Sequence, residues 1–309
     1  MVESAHRAGR VFAAWWQAAR PPFLIVTLIP FALAYVAAKR DTGTPPSSAL
    51  FCGILLIGFA LHTVANLAND LFDHLQGVDG GENIGGSGVI QQGLITPAAL
   101  GRAIAGLLLF GAVLSFFGVR ITGLPALWGV YAFGAFSALF YVAPPIRYGY
   151  RALGEILVGL NMGLGMVVGA YYALTAALPG SIFALAAPVG LMVAGVLYFQ
   201  SLPELETDKA VGKRTLGNVL GPVWSSRVFY TWWPAVWAIL AALFFSGLCG
   251  YAVWAGIALS FPMHLAACRK VREAGLPGAD RLALDAHGHL VRKMYLLNGV
   301  ALVVAVLYT

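Results

Sequence analysis

The chain has 309 residues, of which 60% are hydrophobic and only 10% are charged, and its formal net charge is +6. A soluble domain carries about 25% charged residues, so the composition excludes an ordinary soluble globular protein and predicts a surface that mostly faces lipid. The three cysteines, Cys52, Cys249 and Cys268, are scattered along the chain. They have neither the spacing of a metal site nor that of a disulfide framework.

Long uncharged stretches place the membrane spans. No Asp, Glu, Lys or Arg occurs between Glu155 and Glu204 or between Arg227 and Arg269. Each stretch is long enough for two helices of about 20 residues and a turn. The pattern predicts an all-α bundle of nine transmembrane helices in a single domain over residues 1–309, with an N-terminal cytoplasmic segment at about 1–20. The predicted spans cover about residues 21–38, 49–69, 103–119, 124–143, 156–175, 182–202, 228–246, 249–266 and 294–309.

The basic residues predict the orientation of the spans. If the N-terminus is cytoplasmic, only Lys39, Arg40 and Arg120 of the 19 basic residues fall in outer segments. Short loops rich in Lys and Arg stay on the cytoplasmic side. We therefore predict a multi-pass protein of the cytoplasmic (inner) membrane, with its N-terminus and its longest, acid-containing loops in the cytoplasm. The excess of basic residues in cytoplasmic segments also accounts for the positive net charge. We therefore expect the protein to contact the lipid bilayer and to bind no nucleic acid.

A polar stripe ends the second predicted span. Its members follow one another at i, i+3, i+4 and i+7, which places them on one face of a helix; they are Asn66, Asn69, Asp70 and Asp73. Asp79 follows a few residues later. Like charges at this spacing repel one another, and a bound divalent cation relieves that repulsion. Mg²⁺ prefers carboxylate oxygens and retains waters or substrate phosphates, so the stripe predicts a metal or diphosphate site.

A second acidic face follows the sixth predicted span. Glu204 and Asp208 are four residues apart, and Lys213 and Arg214 come soon after. Carboxylates that hold metal ions, with basic side chains beside them, suit a bound diphosphate. The residues alone leave a second class open, a secondary transporter, although transporter acids usually lie near the membrane midplane and these lie at the predicted cytoplasmic ends.

Three segments resemble the UbiA superfamily of intramembrane aromatic prenyltransferases. They are Asn69-Asp70-x2-Asp73, YVAPPIRYGYRALGE from Tyr141 and ETDKAVGKRTL from Glu206, and their order and spacing extend the resemblance over about residues 20–225. Within the superfamily, these segments are most similar to the 1,4-dihydroxy-2-naphthoate branch of menaquinone synthesis. The resemblance implies a Mg²⁺-dependent enzyme that transfers a polyprenyl group from a prenyl diphosphate to an aromatic acceptor, here dihydroxynaphthoate with loss of CO₂. Another acceptor, a hydroxybenzoate or a chlorin-type ring, is the alternative.

The resemblance also implies roles for individual residues. The catalytic and metal-binding carboxylates are Asp70, Asp73, Glu204 and Asp208, and Asn69 is a further metal ligand. The polar residues expected to bind substrate are Asn66, Asn69, Lys213, Arg214, Arg147 and Arg151. An allylic cation needs a dry, aromatic wall, to which it is drawn by cation–π attraction; the candidates near the membrane edge are Tyr141, Tyr148, Tyr198 and Phe199.

Two positions depart from the pattern of the naphthoate branch. Glu204 stands where that branch usually has Asp, and Gly88 stands where it usually has Arg. Glu still supplies a carboxylate, so the expectation of metal binding survives the first change. The second removes a basic group that bears on the choice of acceptor.

Overall fold

The computed structural model describes residues 2–78, 86–276 and 278–309, with side chains from residue 9 onward. Within these ranges the chain is helical and contains no β-strand, which confirms the predicted all-α class. Two short 3₁₀-helices cover Tyr148–Tyr150 and Leu282–His287. The α-helices are α1 (Val2–Ala19), α2 (Pro21–Thr42), α3 (Ser48–Leu75), α4 (Pro97–Thr122), α5 (Leu127–Phe140), α6 (Gly154–Gly159), α7 (Gly169–Thr175), α8 (Gly180–Ser201), α9 (Leu205–Ala210), α10 (Leu216–Phe245), α11 (Ala252–Ala274) and α12 (Gly288–Leu307).

Each predicted span falls on helical structure, and seven helical segments in the described part of the chain are long and apolar enough to cross a bilayer. The protein is therefore an integral membrane protein. The two spans outside this group are α5, which has 14 residues, and α11, which ends in a run of charged residues. The predicted bounds were too narrow at α4, which starts at Pro97 because the Thr96 hydroxyl caps it by accepting from the Ala99 N–H.

The chain forms two compact units, of which the first comprises Met1–Thr27 and Gly53–Tyr148. Within it, Thr27 Oγ1 and His62 Nδ1 lie 2.6 Å apart and join the start of α2 to α3. The Tyr131 hydroxyl of α5 donates to the Leu108 carbonyl oxygen of α4. Much of α4 is exposed and apolar, including Ile121 at 73%, as expected of a lipid-facing helix.

The second unit comprises Leu28–Cys52 and Gly149–Thr309. Its centre is α8, which packs against α6, α10 and α12 and against a π-helical segment, Leu160–Val168, that joins α6 to α7. A Cβ added at Gly163 would lie 2.5 Å from the Gly190 Cα, so the two helix backbones touch at these glycines. Such a close approach is typical of helix faces built from small residues.

A sharp bend divides α10 near its start. Gly221 has φ 76° and ψ 167°, values outside the helical region, and Pro222 follows it without an N–H to donate. The buried Ser225 Oγ lies 2.6 Å from the carbonyl oxygens of both Gly217 and Gly221, so its one hydrogen is shared between two groups that the bend leaves open. The bend separates the first turn and a half of α10 from its long apolar part.

Candidate active site

The polar stripe of the first unit lies on one helix, as predicted. α3 continues without a break to Leu75, so the four residues from Asn66 to Asp73 share a face. Asn66 and Asp70 are buried, Asp70 with only 2% of its surface exposed, and Asn69 and Asp73 are half-buried. Asp79, the acid predicted to follow this stripe, lies outside the described residues.

Asp70 accepts hydrogen bonds from two residues that lie far from it in the sequence. It accepts from the Arg20 guanidinium and from the Ser87 hydroxyl, and the Ser87 N–H donates to it at 2.9 Å. One turn earlier, Asn66 Nδ2 donates to the Ala19 carbonyl oxygen at 2.8 Å. The stripe therefore anchors both the junction of α1 and α2 and the segment that leads into α4.

Arg20 and Ser87 are absent from the predicted site. Arg20 entered the prediction only as one of many cytoplasmic basic residues, although its place directly before Pro21-Pro22 at the start of a span was a usable signal. Its backbone has φ 50°, a conformation uncommon for residues other than glycine. The tertiary structure therefore places the Arg20 guanidinium beside a stripe that the sequence predicted to contain only amides and carboxylates.

The polar stripe on α3, which is the first acidic set, has side chains that suit a hard divalent cation. Asn69 Oδ1 is a buried acceptor for which the described residues provide no hydrogen-bond donor, and Asp70 beside it supplies two acceptor oxygens. Amide and carboxylate oxygens are the ligands that Mg²⁺ accepts. Among the described residues, no three His, Cys, Asp or Glu side chains lie close enough together to hold a metal ion.

We expect Arg20→Ala to lower the free energy of unfolding by about 3 kcal/mol, because removal of one partner of a buried ion pair leaves a buried charge. The estimate is at the low end of the range because the Arg20 side chain is 17% exposed, against 3% for Asp70. Arg10→Ala, at an exposed position of α1, is the matched control. Equal denaturation midpoints for the two variants, measured in detergent, would show that the ion pair contributes no stability.

The acidic face of the second unit also has the predicted geometry. Glu204 directly precedes α9, and the Asp208 N–H donates to its carbonyl oxygen at 2.8 Å, one helical turn later. Both carboxylates are buried, Glu204 at 6% and Asp208 at 0% exposure, whereas Glu206 between them is exposed. Of the three acids in this segment, the two that the spacing paired are thus the two that the fold buries.

Lys213 is the counter-ion of Asp208. Its Nζ lies 3.0 Å from Asp208 Oδ1, and the Asp208 carboxylate accepts no hydrogen bond besides this ion pair within the described part of the chain. Burial raises the pKa of Asp208 above its usual 3.8, while the charge of Lys213 and its hydrogen bond act to lower that pKa. Asp208 and Lys213 thus form an ion pair whose carboxylate is fully buried.

Backbone bonds hold the basic turn of Lys213 and Arg214 in place. The Arg214 N–H donates to the Tyr150 carbonyl oxygen at 3.2 Å, and the Ala152 N–H donates to the Arg214 carbonyl oxygen at 2.7 Å. Lys213 Nζ also lies 5.9 Å from the Tyr150 ring centroid. The segment that ends at Glu155 and the segment that begins at Glu206 are therefore joined by backbone hydrogen bonds. The side chains of Arg151 and Arg214 remain exposed.

Glu155 is a third buried carboxylate in the second unit, at 2% exposure, and it was absent from the predicted site. Its Oε1 accepts from the Leu216 N–H at 3.3 Å, while no described residue donates to Oε2. Glu155 lies close enough to Lys213 and Asp208 for their charges to act on one another. The available signal was its place as the last residue of the YVAPPIRYGYRALGE segment and the first of an apolar span.

The remaining predicted substrate residues are distributed over both units. In the first, Arg147 donates to the Gln76 side chain, and the rings of Tyr141 and Tyr148 meet edge to face at 5.3 Å. The Tyr148 hydroxyl donates to the Ser137 carbonyl oxygen at 2.8 Å. In the second, Tyr198 is fully buried, stacks on Trp232, and its hydroxyl donates to a carbonyl oxygen at 3.0 Å.

The surroundings of Phe199 and the backbone conformation of Gly88 explain why these residues occupy their positions. Phe199 is fully buried and packs on Phe229 at a ring distance of 5.3 Å. Gly88 has φ 76°, and a Cβ there would meet Gln92 Nε2 at 2.9 Å. An arginine at this position would therefore be strained in this backbone, so the departure at Gly88 accompanies a turn that favours glycine.

The chain is similar to known proteins over most of its length. The model of the UbiA prenyltransferase family matches residues 27–283. The 1,4-dihydroxy-2-naphthoate octaprenyltransferase of Haemophilus influenzae is 31% identical over 227 residues, which are 70% of this chain and 71% of the relative. The enzyme of the same name from Mycobacterium leprae is 28% identical over 87% of this chain and 88% of its own length.

Solved structures show the same fold. A UbiA homolog from Archaeoglobus fulgidus, bound to GPP and Mg²⁺, superposes with a TM-score of 0.59 and 16% identity over 96% of this chain and all of that one. A UbiA homolog from Aeropyrum pernix superposes with a TM-score of 0.66 and 16% identity, over 90% of this chain and 97% of that one. Because the family model matches most of its length, this chain belongs to the UbiA prenyltransferase family.

Proposed function

We propose that this prenyltransferase transfers a polyprenyl group from a prenyl diphosphate to 1,4-dihydroxy-2-naphthoate, with loss of the ring carboxylate as CO₂, in a Mg²⁺-dependent step of menaquinone synthesis. The observation that carries the proposal is the fully buried Asp208 paired with Lys213 at the end of an apolar span, since a buried acid with one lysine suits a metal-bound diphosphate. The relatives named as dihydroxynaphthoate octaprenyltransferases support the acceptor.

The residues of each unit have separate tasks in this proposal. In the first unit, Asn69, Asp70 and Asp73 would hold Mg²⁺. In the second, Glu204 and Asp208 would do so. When bound, Mg²⁺ neutralises negative charge that builds on the leaving diphosphate.

The basic and aromatic side chains act on the two substrates. Lys213 and Arg214 bind diphosphate oxygens and stabilise the charge released as the C–O bond to the prenyl carbon breaks. The ring faces of Tyr141 and Tyr148 attract the allylic cation that remains. An electron-rich carbon of the acceptor then forms the new C–C bond, and Arg147 or Arg151 pairs with the acceptor carboxylate.

The test is an assay of purified protein with Mg²⁺, a prenyl diphosphate and a panel of aromatic acceptors. We expect dihydroxynaphthoate to be prenylated with release of CO₂, and chelation of the metal to stop the reaction. Prenylation of a hydroxybenzoate or chlorin-type ring alone would refute the acceptor and keep the enzyme class.

Arg147→Ala or Arg151→Ala should raise KM for the acceptor about tenfold or more, with little change in KM for the prenyl diphosphate, because a bidentate carboxylate contact is lost.

We also propose that both acidic sets face the cytoplasm, as the distribution of basic residues predicts. Exposed Gln92 and Ala210 are suited to single cysteine substitutions in a background without Cys52, Cys249 and Cys268. Neither position should react with an impermeant thiol reagent added to intact cells, and both should react after lysis. Labelling of intact cells at either position would reverse the orientation.

A further inference from the structure

The first helix, α1, is separate from the membrane span that follows it. α2 begins at Pro21 and has 22 residues, about the length that a bilayer core requires, so α2 can cross the core without α1. Arg20 lies between the two helices and has φ 50°, which interrupts the helical backbone. α1 therefore does not extend the span along its axis, and its direction is set by its own contacts.

Two hydrogen bonds fix the last turn of α1 beside the polar stripe on α3. Gln17 Nε2 donates to the Ser87 carbonyl oxygen at 2.7 Å, and Asn66 Nδ2 donates to the Ala19 carbonyl oxygen at 2.8 Å. α3 has 28 residues, whereas the bilayer core takes about 20. The polar stripe near the end of α3 therefore lies at the edge of the core, and the end of α1 lies there with it.

Two opposite faces of α1 have different surroundings. Ala14 and Ala18 are 3% and 0% exposed and pack against the rest of the first unit. By the helical period, Gly9, Phe12 and Trp16 lie on the opposite face. Phe12 and Trp16 are 66% and 58% exposed, and their rings stack with centroids 5.8 Å apart. The side of α1 that points away from the protein is therefore aromatic and apolar.

The two flanks of α1 differ in polarity. One flank carries the exposed Arg10 and, two turns later, Gln17, which bonds to the segment that follows α3. The other flank is apolar and carries Trp15 and Val11, the latter 52% exposed. A helix with an apolar face and a polar flank is typical of the plane of a membrane interface, where one side contacts acyl chains and the other contacts water.

We propose that α1 binds the bilayer interface at the end of the α3 stripe, with Phe12 and Trp16 against the acyl chains and Arg10 at the headgroups. Lipid is the occupant that fits this face, because the face continues in the chain into a membrane span and its end is fixed at the edge of the core. Tryptophan is also enriched at membrane interfaces, and arginine beside an apolar surface extends its charge to the headgroups. This inference is independent of the proposed function, since it assigns a lipid contact and no step of the reaction.

The test measures the depth of a nitroxide spin label in phosphatidylcholine vesicles by electron paramagnetic resonance. The label is attached at Gly9→Cys in a background without the three native cysteines. A Cβ at Gly9 meets nothing within 4 Å, so the label reports on the apolar face and leaves Phe12 and Trp16 in place. We expect this label to collide more often with O₂, which is enriched in hydrocarbon, than with a water-soluble nickel chelate. A label at Arg10→Cys, the next residue but on the polar flank, should show the reverse.

Phe12→Glu should release the apolar face from the lipid. It should shift the Gly9→Cys label from lipid to water about tenfold or more, the factor that corresponds to exposing one large apolar side chain. Arg10→Glu is the matched control, because it places the same new side chain on the polar flank and should leave the label in lipid. Both substituted positions are exposed, so neither change should alter the denaturation midpoint in detergent, and a shift of the label is then not a loss of folding.

A label at position 9 that collides mainly with the nickel chelate would overturn the inference. Equal access of O₂ to positions 9 and 10 would do so too, as would a Phe12→Glu variant that moves the label no further than Arg10→Glu does. A label shielded from both reagents, with spin–spin broadening that disappears on dilution with unlabelled protein, would show that a second copy of the chain covers this face instead of lipid.

Discussion

Asp208→Asn will abolish prenyl transfer, by about 100-fold or more, and at the same time raise the thermal stability of the metal-free protein at neutral pH. The activity falls because the substitution removes a carboxylate that the proposed cation requires. The stability rises because burial is the largest influence on Asp208 and disfavours its charged form despite Lys213. Asparagine has a similar shape and no charge to bury.

The pH dependence of this effect follows from the direction of the pKa shift. The folded-state pKa of Asp208 lies above its usual 3.8, so the native protein holds the proton more tightly than the unfolded chain does. Stability from this group therefore falls as pH rises from about 3.8 through the folded-state pKa, and stays lower above it. The stabilising effect of Asp208→Asn should grow as pH rises through the folded-state pKa and should disappear below about pH 3.8, where both states are protonated.

The measurement is the denaturation midpoint in detergent at several pH values, without and with Mg²⁺. Glu206→Gln, an exposed neighbour on α9, should change neither activity nor midpoint. A lower midpoint for Asp208→Asn at neutral pH without metal would show that the ion pair with Lys213 outweighs the cost of burial. If Asp208→Asn keeps more than about a tenth of wild-type activity, a loss of less than about tenfold in rate, Asp208 is not a catalytic residue.

Asp70→Ala will reduce prenyl transfer by a similar factor, about 100-fold or more, while the protein still inserts into the membrane. Asp70 is the buried member of the α3 stripe and bonds to both Arg20 and Ser87. Its loss therefore removes a metal ligand and frees two segments that it anchors. Asp73→Ala should also abolish transfer, although Asp73 is only half-buried.

Asp285→Ala is the control for this pair, because Asp285 is an exposed acid in the 3₁₀-helix before α12. It should leave activity at the wild-type level. Membrane insertion is checked by the amount of each variant in the membrane fraction, and transfer by product formed with saturating Mg²⁺. If Asp70→Ala and Asp73→Ala both retain more than about a tenth of wild-type activity, the α3 stripe is not a metal site.

Local sequence pattern was enough to predict the helices and the faces of the acidic motifs. Uncharged apolar runs specify membrane-spanning helices because a bilayer requires internal satisfaction of every backbone hydrogen bond. The helical period then places Asp70 one turn after Asn66, and Asp208 one turn after Glu204. The helix ends were less predictable, since α4 begins at a Thr96 cap rather than at the nearest charge.

The partners of Asp70 and Glu155 were decided by tertiary structure alone. Arg20 lies 50 residues before Asp70, and Glu155 lies 61 residues before Leu216, so no local period relates them. Burial decided which acids matter in the second unit, because Glu206 shares a helix with Asp208 yet faces solvent. The sequence by itself determined which side chains share a helical face, since that depends on neighbours within one or two turns. Only packing between distant segments determined which carboxylates lose water and placed Arg20 beside Asp70, because desolvation and long-range ion pairing depend on the whole surroundings of a group.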